Sequence, residues 1–398
     1  MIIYHRRPEM ARQLADELLG KHLLSDAPNG LFLAAPRRTG KSNFLQFELK
    51  PELEARGCLV VYVDFWSQPD RDPVELLAET LTYEVQKTAG LAKRLAAALS
   101  SLKVGTVAVE LDLSKLGRPQ GHSIAHVLWL LGTAANRKIV VILDEAQHTL
   151  TTKAGDAAMF ALKSARDQLN TPDGHQLLLV FSGSDRDKLL RLVNSGRAPF
   201  YGSTIRHLPE LDRGFAIQQA EAMGKVYEWL APVNVDALFE AFQIVGRRPQ
   251  FFREVVDAVV KRPATNAAQA QADILHGARE FQRNEARERL QLYLGLHPLE
   301  QFVLWRMLEQ GASFRPYDAD AKDFYGKLLG EEVSTQRVQA AIKSLREREP
   351  PIVWKSSRGE YAMDDTQMHG WFKELQASGQ WPPGPERELL LARLGRSV

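Results

Sequence analysis

The stretch Leu31 to Ser42, LFLAAPRRTGKS, decides the fold. Apolar Leu31, Phe32 and Leu33 run without polar alternation, as in a strand covered on both faces, and Phe44, Leu45 and Leu49 follow at helical spacing. Between them lies most of the pattern G-x-x-x-x-G-K-[ST]. Such a loop turns consecutive backbone N–H groups toward phosphate oxygens, and the following helix adds the positive end of its dipole. Gly40, Lys41 and Ser42 are in place, within a loop of Pro36, Arg37, Arg38, Thr39 and Asn43. Ala35 stands where the pattern has its first glycine, which requires the backbone there to keep a negative φ. Lys41 is expected at the β- and γ-phosphates of a nucleotide, and the Ser42 hydroxyl on Mg²⁺.

A second motif follows about a hundred residues later in Lys138 to His148, KIVVILDEAQH. Five apolar residues, Ile139 to Leu143, end in Asp144 and Glu145. Ligands of parallel α/β sheets sit beyond the carboxyl ends of the strands, where this pair falls. Asp144 is expected to hold Mg²⁺ through its water shell, and Glu145 to orient and polarise an attacking water.

Together, P-R-R-T-G-K-S and V-I-L-D-E-A-Q-H resemble the archaeal-type ATPases of the AAA+ and STAND group of P-loop NTPases. The segment Ile3 to Leu14, IYHRRPEMARQL, is similar to that family's aromatic-x-G-R-x-x-E-x-x-x-L stretch near adenine, with His5 where glycine is usual. The resemblance thus implies adenine contacts by Tyr4, Arg6 or Arg7. Gly196 to Leu211, GRAPFYGSTIRHLPEL, and Val245 to Phe252, VGRRPQFF, are similar to its pre-lid strand and lid motif. The resemblance implies binding and hydrolysis of ATP with Mg²⁺. It also implies a polar sensor at the end of the Leu177 to Phe181 strand, where Ser182 and Ser184 stand; a plain Ser-Gly-Ser turn is the other reading. Arg197 is either an arginine finger reaching a neighbouring subunit of a homo-oligomer or a solvated side chain. Arg247 and Arg248 either approach the phosphates from the lid or are surface charges. Gln250 stands where some relatives carry a sensor arginine.

The chain has 398 residues, 44% hydrophobic and 25% charged, which suits a globular protein of two or three domains. Fifty-one basic against forty-nine acidic residues leave a net charge of +2, so no global field advertises nucleic acid or membrane. The lone cysteine, Cys58, excludes an intrachain disulfide and fits a reducing cytosol as a buried thiol. No apolar run approaches the roughly 20 residues that span a bilayer, so the expectation is a cytoplasmic protein. His148 reads as a helix-end polar residue, because no partner His or Cys cluster completes a metal site.

Apolar runs at 31–35, 58–65, 139–143 and 177–181, with a weaker one at 205–208, alternate with helical patterns. The fold class is α/β: a P-loop parallel sheet flanked by helices, then an all-α stretch that the resemblance implies is a lid, and a winged helix-turn-helix domain. Asp72 and Pro73 mark the start of one flanking helix, and Leu102 to Leu113 alternates as a small hairpin. The expected domains are 1–212 for the ATPase, 213–290 for the lid and connecting helices, including the polar stretch 263–273, and 291–398 for the winged helix with a C-terminal tail. In the last, three helices precede two short strands around Ser356 to Gly359. On its third helix Val338, Ile342 and Leu345 mark the buried face, leaving Gln336, Arg337, Gln339, Lys343 and Arg346 outward, with Lys355 and Arg358 on the wing. These suit double-stranded DNA through phosphate and base-edge contacts, while Glu347 and Glu349 and the general use of winged domains keep a protein partner open.

Overall fold

The computed structural model describes residues 4–22, 24–68, 71–87, 124–171, 174–194, 196–261, 266–356, 358–365 and 367–396. The hairpin expected at Leu102 to Leu113 lies outside the described residues. The chain divides into two compact units, one up to Asp212 and one from Arg213 onward.

The first unit is built on five parallel strands: β1 (Leu31–Ala34), β2 (Leu59–Asp64), β3 (Ile139–Asp144), β4 (Leu177–Gly183) and β5 (Ile205–His207), in the order β2-β3-β4-β1-β5. The three inner strands are buried at every position, which is why their sequences are unbroken apolar runs. The edges β2 and β5 are only partly buried and carry polar residues such as Tyr62, Asp64 and Arg206. All five strands end on one side, so the segments after β1, β2, β3 and β4 converge there.

Helix α1 (Pro8–Leu18) has proline in its first turn and buries Ala11, Leu14, Ala15 and Leu18, one stripe at helical spacing. After β1 the loop enters helix α2 (Lys41–Phe44), which passes through a π turn (Leu45–Leu49) into Lys50–Ala55. Helix Pro73–Lys87 is capped by Asp72, whose carboxylate accepts the Val74 N–H at 2.7 Å. Cys58 is buried beside β2, and burial pushes its thiol pKa up.

The second unit opens with helices Arg213–Val226, Val235–Ile244 and Pro249–Val260, held by packing among Phe215, Phe242 and Phe252, with ring centroids 4.3 to 5.9 Å apart. The polar stretch after residue 265 belongs to one 28-residue helix, Ala267–Leu294, capped by Asn266. The winged helix-turn-helix follows: helices Pro298–Gln310, Ala319–Leu329 and Thr335–Glu347, then antiparallel strands β6 (Val353–Lys355) and β7 (Tyr361–Met363). Val338, Ile342 and Leu345 are buried. The C-terminal segment, expected as a tail, forms helices Gln367–Ala377 and Arg387–Arg393, which supply Trp371, Phe372 and Leu390 to this core beside Trp381. Among the described residues no helix is long and apolar enough to cross a membrane.

Candidate functional site

The loop after β1 takes the shape that its glycine permits. Gly40 sits at φ +88°, where an L side chain is strained, although a Cβ would meet no atom within 4 Å. Arg38 also has positive φ, whereas Ala35, buried at the end of the β1 run, does not. A methyl group at the first motif position therefore costs no backbone strain. The Thr39 hydroxyl donates to the Pro36 carbonyl at 2.7 Å and closes the loop on itself. Arg37, Arg38, Ser42 and Asn43 are exposed, while Lys41 points inward and is only 4% exposed.

Lys41 meets the carboxyl ends of β3 and β4. Its ammonium pairs with the Asp144 carboxylate, lies 2.9 Å from Glu145 Oε1 and donates to Ser182 Oγ at 3.1 Å. Asp144 is fully buried and also accepts hydrogen bonds from the Ser182 hydroxyl and, at 2.8 Å, from the Tyr62 hydroxyl. Glu145 Oε2 accepts the Ser184 hydroxyl at 2.8 Å, the Ser184 N–H at 3.2 Å and the Gln147 amide. Glu145 itself has φ +54°, an uncommon conformation for a non-glycine residue that costs about 1 kcal/mol and that these contacts maintain.

The electrostatics follow from burial and pairing. Burial disfavours charge on all three groups, but the ion pairs win. Lys41 is held above the ordinary lysine value by Glu145 and Asp144, and both carboxyls are held below theirs by Lys41. The hydroxyls of Ser182 and Ser42 assist at Asp144, and that of Ser184 at Glu145. Burial, then the charge of Asp144, pushes the Tyr62 phenol up. Asp64, opposite Asp144 in the β2–β3 register, is raised by burial and by the neighbouring carboxylates.

The loop after β1, Asp144, Glu145, Ser182 and Ser184 are thus brought together. Tyr4 and Arg7 lie against the helix that follows the loop, tied to buried Glu48: the Tyr4 hydroxyl donates to it at 2.6 Å, and so does the Arg7 N–H. The Arg7 guanidinium packs 4.7 Å over the Phe44 ring and donates to the Pro209 carbonyl at 2.9 Å. Arg197 is exposed in the segment ahead of β5. In the second unit Arg248 is buried, with a two-pronged hydrogen bond to Glu285 at 2.6 and 3.2 Å and another to the Val245 carbonyl at 2.8 Å. Gln336, Arg337, Gln339, Lys343 and Arg346 are exposed on one helix face, and Lys355 and Arg358 are half-buried on the wing. Arg337 pairs with Glu331 at 2.8 Å and Lys343 with Glu347 at 3.8 Å.

Tyr62, Gln147 and Glu48 belong to this site and were not singled out by sequence. Tyr62 reads as one more residue of an edge strand, and Glu48 as one acid among apolar neighbours. Gln147 had a local signal, two residues after Glu145. Its side chain fills the space that Gly183 leaves open, since a Cβ there would lie 2.7 Å from Gln147 Oε1.

No protein-family model matches the chain, and no curated protein does. Solved structures do. The Aeropyrum pernix ORC2 protein in its ADP form is 14% identical, with 95% of this chain and 96% of that one covered at a TM-score of 0.51. The ADPNP-ADP complexes of the same protein align at 15% identity, 94% and 95% coverage and 0.48. The Aeropyrum pernix ORC1 protein in complex with DNA aligns at 16%, 99% and 95%, and 0.40. At this identity the likeness is one of fold: the chain shares the fold of the Aeropyrum pernix ORC2 protein along nearly its whole length.

Proposed function

We propose that this chain is an Mg²⁺-dependent ATPase of the AAA+/STAND type, a switch that couples nucleotide state to its C-terminal winged helix. The observation that carries the reading is the meeting of Lys41 with Asp144, Glu145 and Ser182 at the carboxyl ends of adjacent parallel strands. A nucleotide polyphosphate is the anion to which Lys41 would turn from these two carboxylates. The backbone N–H groups of residues 37 to 43 cradle it, with Lys41 on its β- and γ-phosphates. Tyr4 and Arg7, anchored by Glu48, flank the base.

Ser42 and Asp144 offer the hard oxygen ligands that Mg²⁺ takes alongside phosphate and water. Held there, Mg²⁺ would neutralise charge on the outer phosphates. Glu145 orients and deprotonates the attacking water, and Ser184 fixes its carboxylate.

The output is DNA binding by the exposed face of helix Thr335–Glu347 and the wing, through Gln336, Arg337, Lys343, Arg346, Lys355 and Arg358. A second reading, a protein partner for the winged helix, is favoured by one observation: Arg337 and Lys343 are already paired with carboxylates. Polarisation titration of random duplex DNA across a salt series, with and without a slowly hydrolysed ATP analogue, separates the two. Salt-dependent binding that shifts with the analogue supports the DNA reading, and no binding in either state transfers the output to a protein.

A further inference from the structure

Arg37 stands three residues before Gly40, and its side chain is placed with care. Its guanidinium lies 4.8 Å above the ring centroid of Trp66, and its Nε donates to Ser184 Oγ at 3.4 Å. Ser184 Oγ in turn donates to Glu145 Oε2 at 2.8 Å, so one hydroxyl separates the guanidinium from the carboxylate assigned to the attacking water. Trp66 is itself fixed. The turn after β2 holds its backbone N–H on Asp64 Oδ1 at 2.8 Å, and its ring packs against His148 at 4.5 Å.

A tryptophan 46% exposed at the mouth of the site, carrying an arginine on its face, contributes little to the core. It does orient a cation. A guanidinium stays charged at any working pH, stacks flat on an indole and still presents N–H groups at its edge. Lys41 is the inner cation of the loop, buried against the carboxylates, and Arg37 is an outer one beside Ser184 and Glu145.

We propose that Arg37 supplies, within the same subunit, the cation that neutralises charge on the terminal phosphoryl group during transfer, with Trp66 as the platform that positions it. This rests on the ATPase reading above. In the step, the water oxygen bonds to the γ-phosphorus while the bond from that phosphorus to the β–γ bridging oxygen breaks. Glu145 takes the water proton and later releases it to solvent, the bridging oxygen leaves with its electron pair on ADP, and phosphate departs. The γ-phosphoryl oxygens carry the charge that Arg37 meets.

The test uses the full chain with Arg37→Ala, Arg37→Lys and Trp66→Leu. Three quantities are read: affinity for ADP, affinity for the β,γ-imido analogue of ATP, and phosphate release per subunit across a range of protein concentrations. ADP affinity should stay within about twofold, which also shows that the loop is folded. Analogue affinity should fall about tenfold in Arg37→Ala, as for loss of one charge-assisted hydrogen bond. Turnover should fall on the order of 10³-fold. Arg37→Lys should regain analogue affinity more than rate, Trp66→Leu should fall between, and wild-type turnover per subunit should not depend on concentration. Equal loss of ADP and analogue affinity would assign Arg37 to loop structure and overturn the proposal. So would Arg37→Ala turnover within about threefold of wild type, or a wild-type rate that climbs with concentration, which places the cation on a neighbour. A wild-type chain that binds no adenine nucleotide removes the ATPase reading itself, a distinct result.

Discussion

Replacing Lys41 with Met tests the electrostatic account of the site without any nucleotide. The substitution keeps an unbranched stem but removes the ammonium from between Asp144, fully buried, and Glu145, 12% exposed. Breaking a buried ion pair from one side typically costs about 3–5 kcal/mol, because a charge is left uncompensated. Here the orphaned pair has an escape, since one carboxyl can take up a proton. That uptake costs about 1.4 kcal/mol per pH unit above an ordinary carboxyl pKa near 4, hence roughly 4 kcal/mol at pH 7 and about 1.4 at pH 5. In the wild type the signs run differently. The depressed Asp144 and Glu145 contribute stability that is present above their unfolded pKa and lost only as pH falls through their lower folded values. The raised Lys41 contributes stability that is present below its unfolded pKa and lost as pH rises through its folded value. Between pH 5 and 8 these three groups therefore add no slope in the wild type. The difference between Lys41→Met and wild type should widen by about 1.4 kcal/mol per pH unit over that window until it meets the cost of the unpaired charge. Urea unfolding at unit pH steps measures it, with amide exchange in β1, β3 and β4 assigning the transition to the sheet. A difference that stays constant with pH, or below about 1 kcal/mol at pH 7, would refute the reasoning.

Other outcomes follow from the same geometry. Glu145→Gln should retain ATP affinity and lose most hydrolysis, because the amide keeps its shape but cannot accept the water proton; radiolabelled ATP retention against phosphate release reads both. Gly155→Ala should destabilise the first unit by about 2 kcal/mol or more, since a Cβ there would collide with the Thr149 backbone carbonyl; a thermal midpoint unchanged from wild type would contradict that placement. Joint replacement of Arg337, Lys343 and Arg346 by alanine should weaken DNA binding and flatten its salt dependence by about one unit of slope per lost phosphate contact, while ATP turnover persists.

The inner strands were legible because burial on both faces writes itself as an unbroken apolar run, and the two motifs because their residues are contiguous. Ser182 and Ser184 were reachable because they end such a strand. The contacts that tune the site were not, since they join distant positions. Tyr62 reaches Asp144 from a neighbouring strand, Arg37 meets Trp66 across the space between two strand ends, and Glu48 ties down residues more than forty positions away. In the second unit, a polar helix surface disguised the start of helix Ala267–Leu294, because much of it is solvated and only Ala270, Ile274, Ala278 and Tyr293 are buried. The C-terminal helices were not read from the sequence, yet Trp371 and Trp381 pack edge to face at 5.6 Å inside the winged-helix core.

The central claim is most directly tested by single-turnover hydrolysis with excess full-length chain over ATP and Mg²⁺, comparing wild type, Lys41→Ala and Glu145→Gln. The account predicts that wild type converts bound ATP to ADP and phosphate, that Glu145→Gln binds ATP and holds it unhydrolysed, and that Lys41→Ala captures little ATP at all. Hydrolysis by Glu145→Gln at the wild-type rate, or ATP capture by Lys41→Ala equal to wild type, would contradict it.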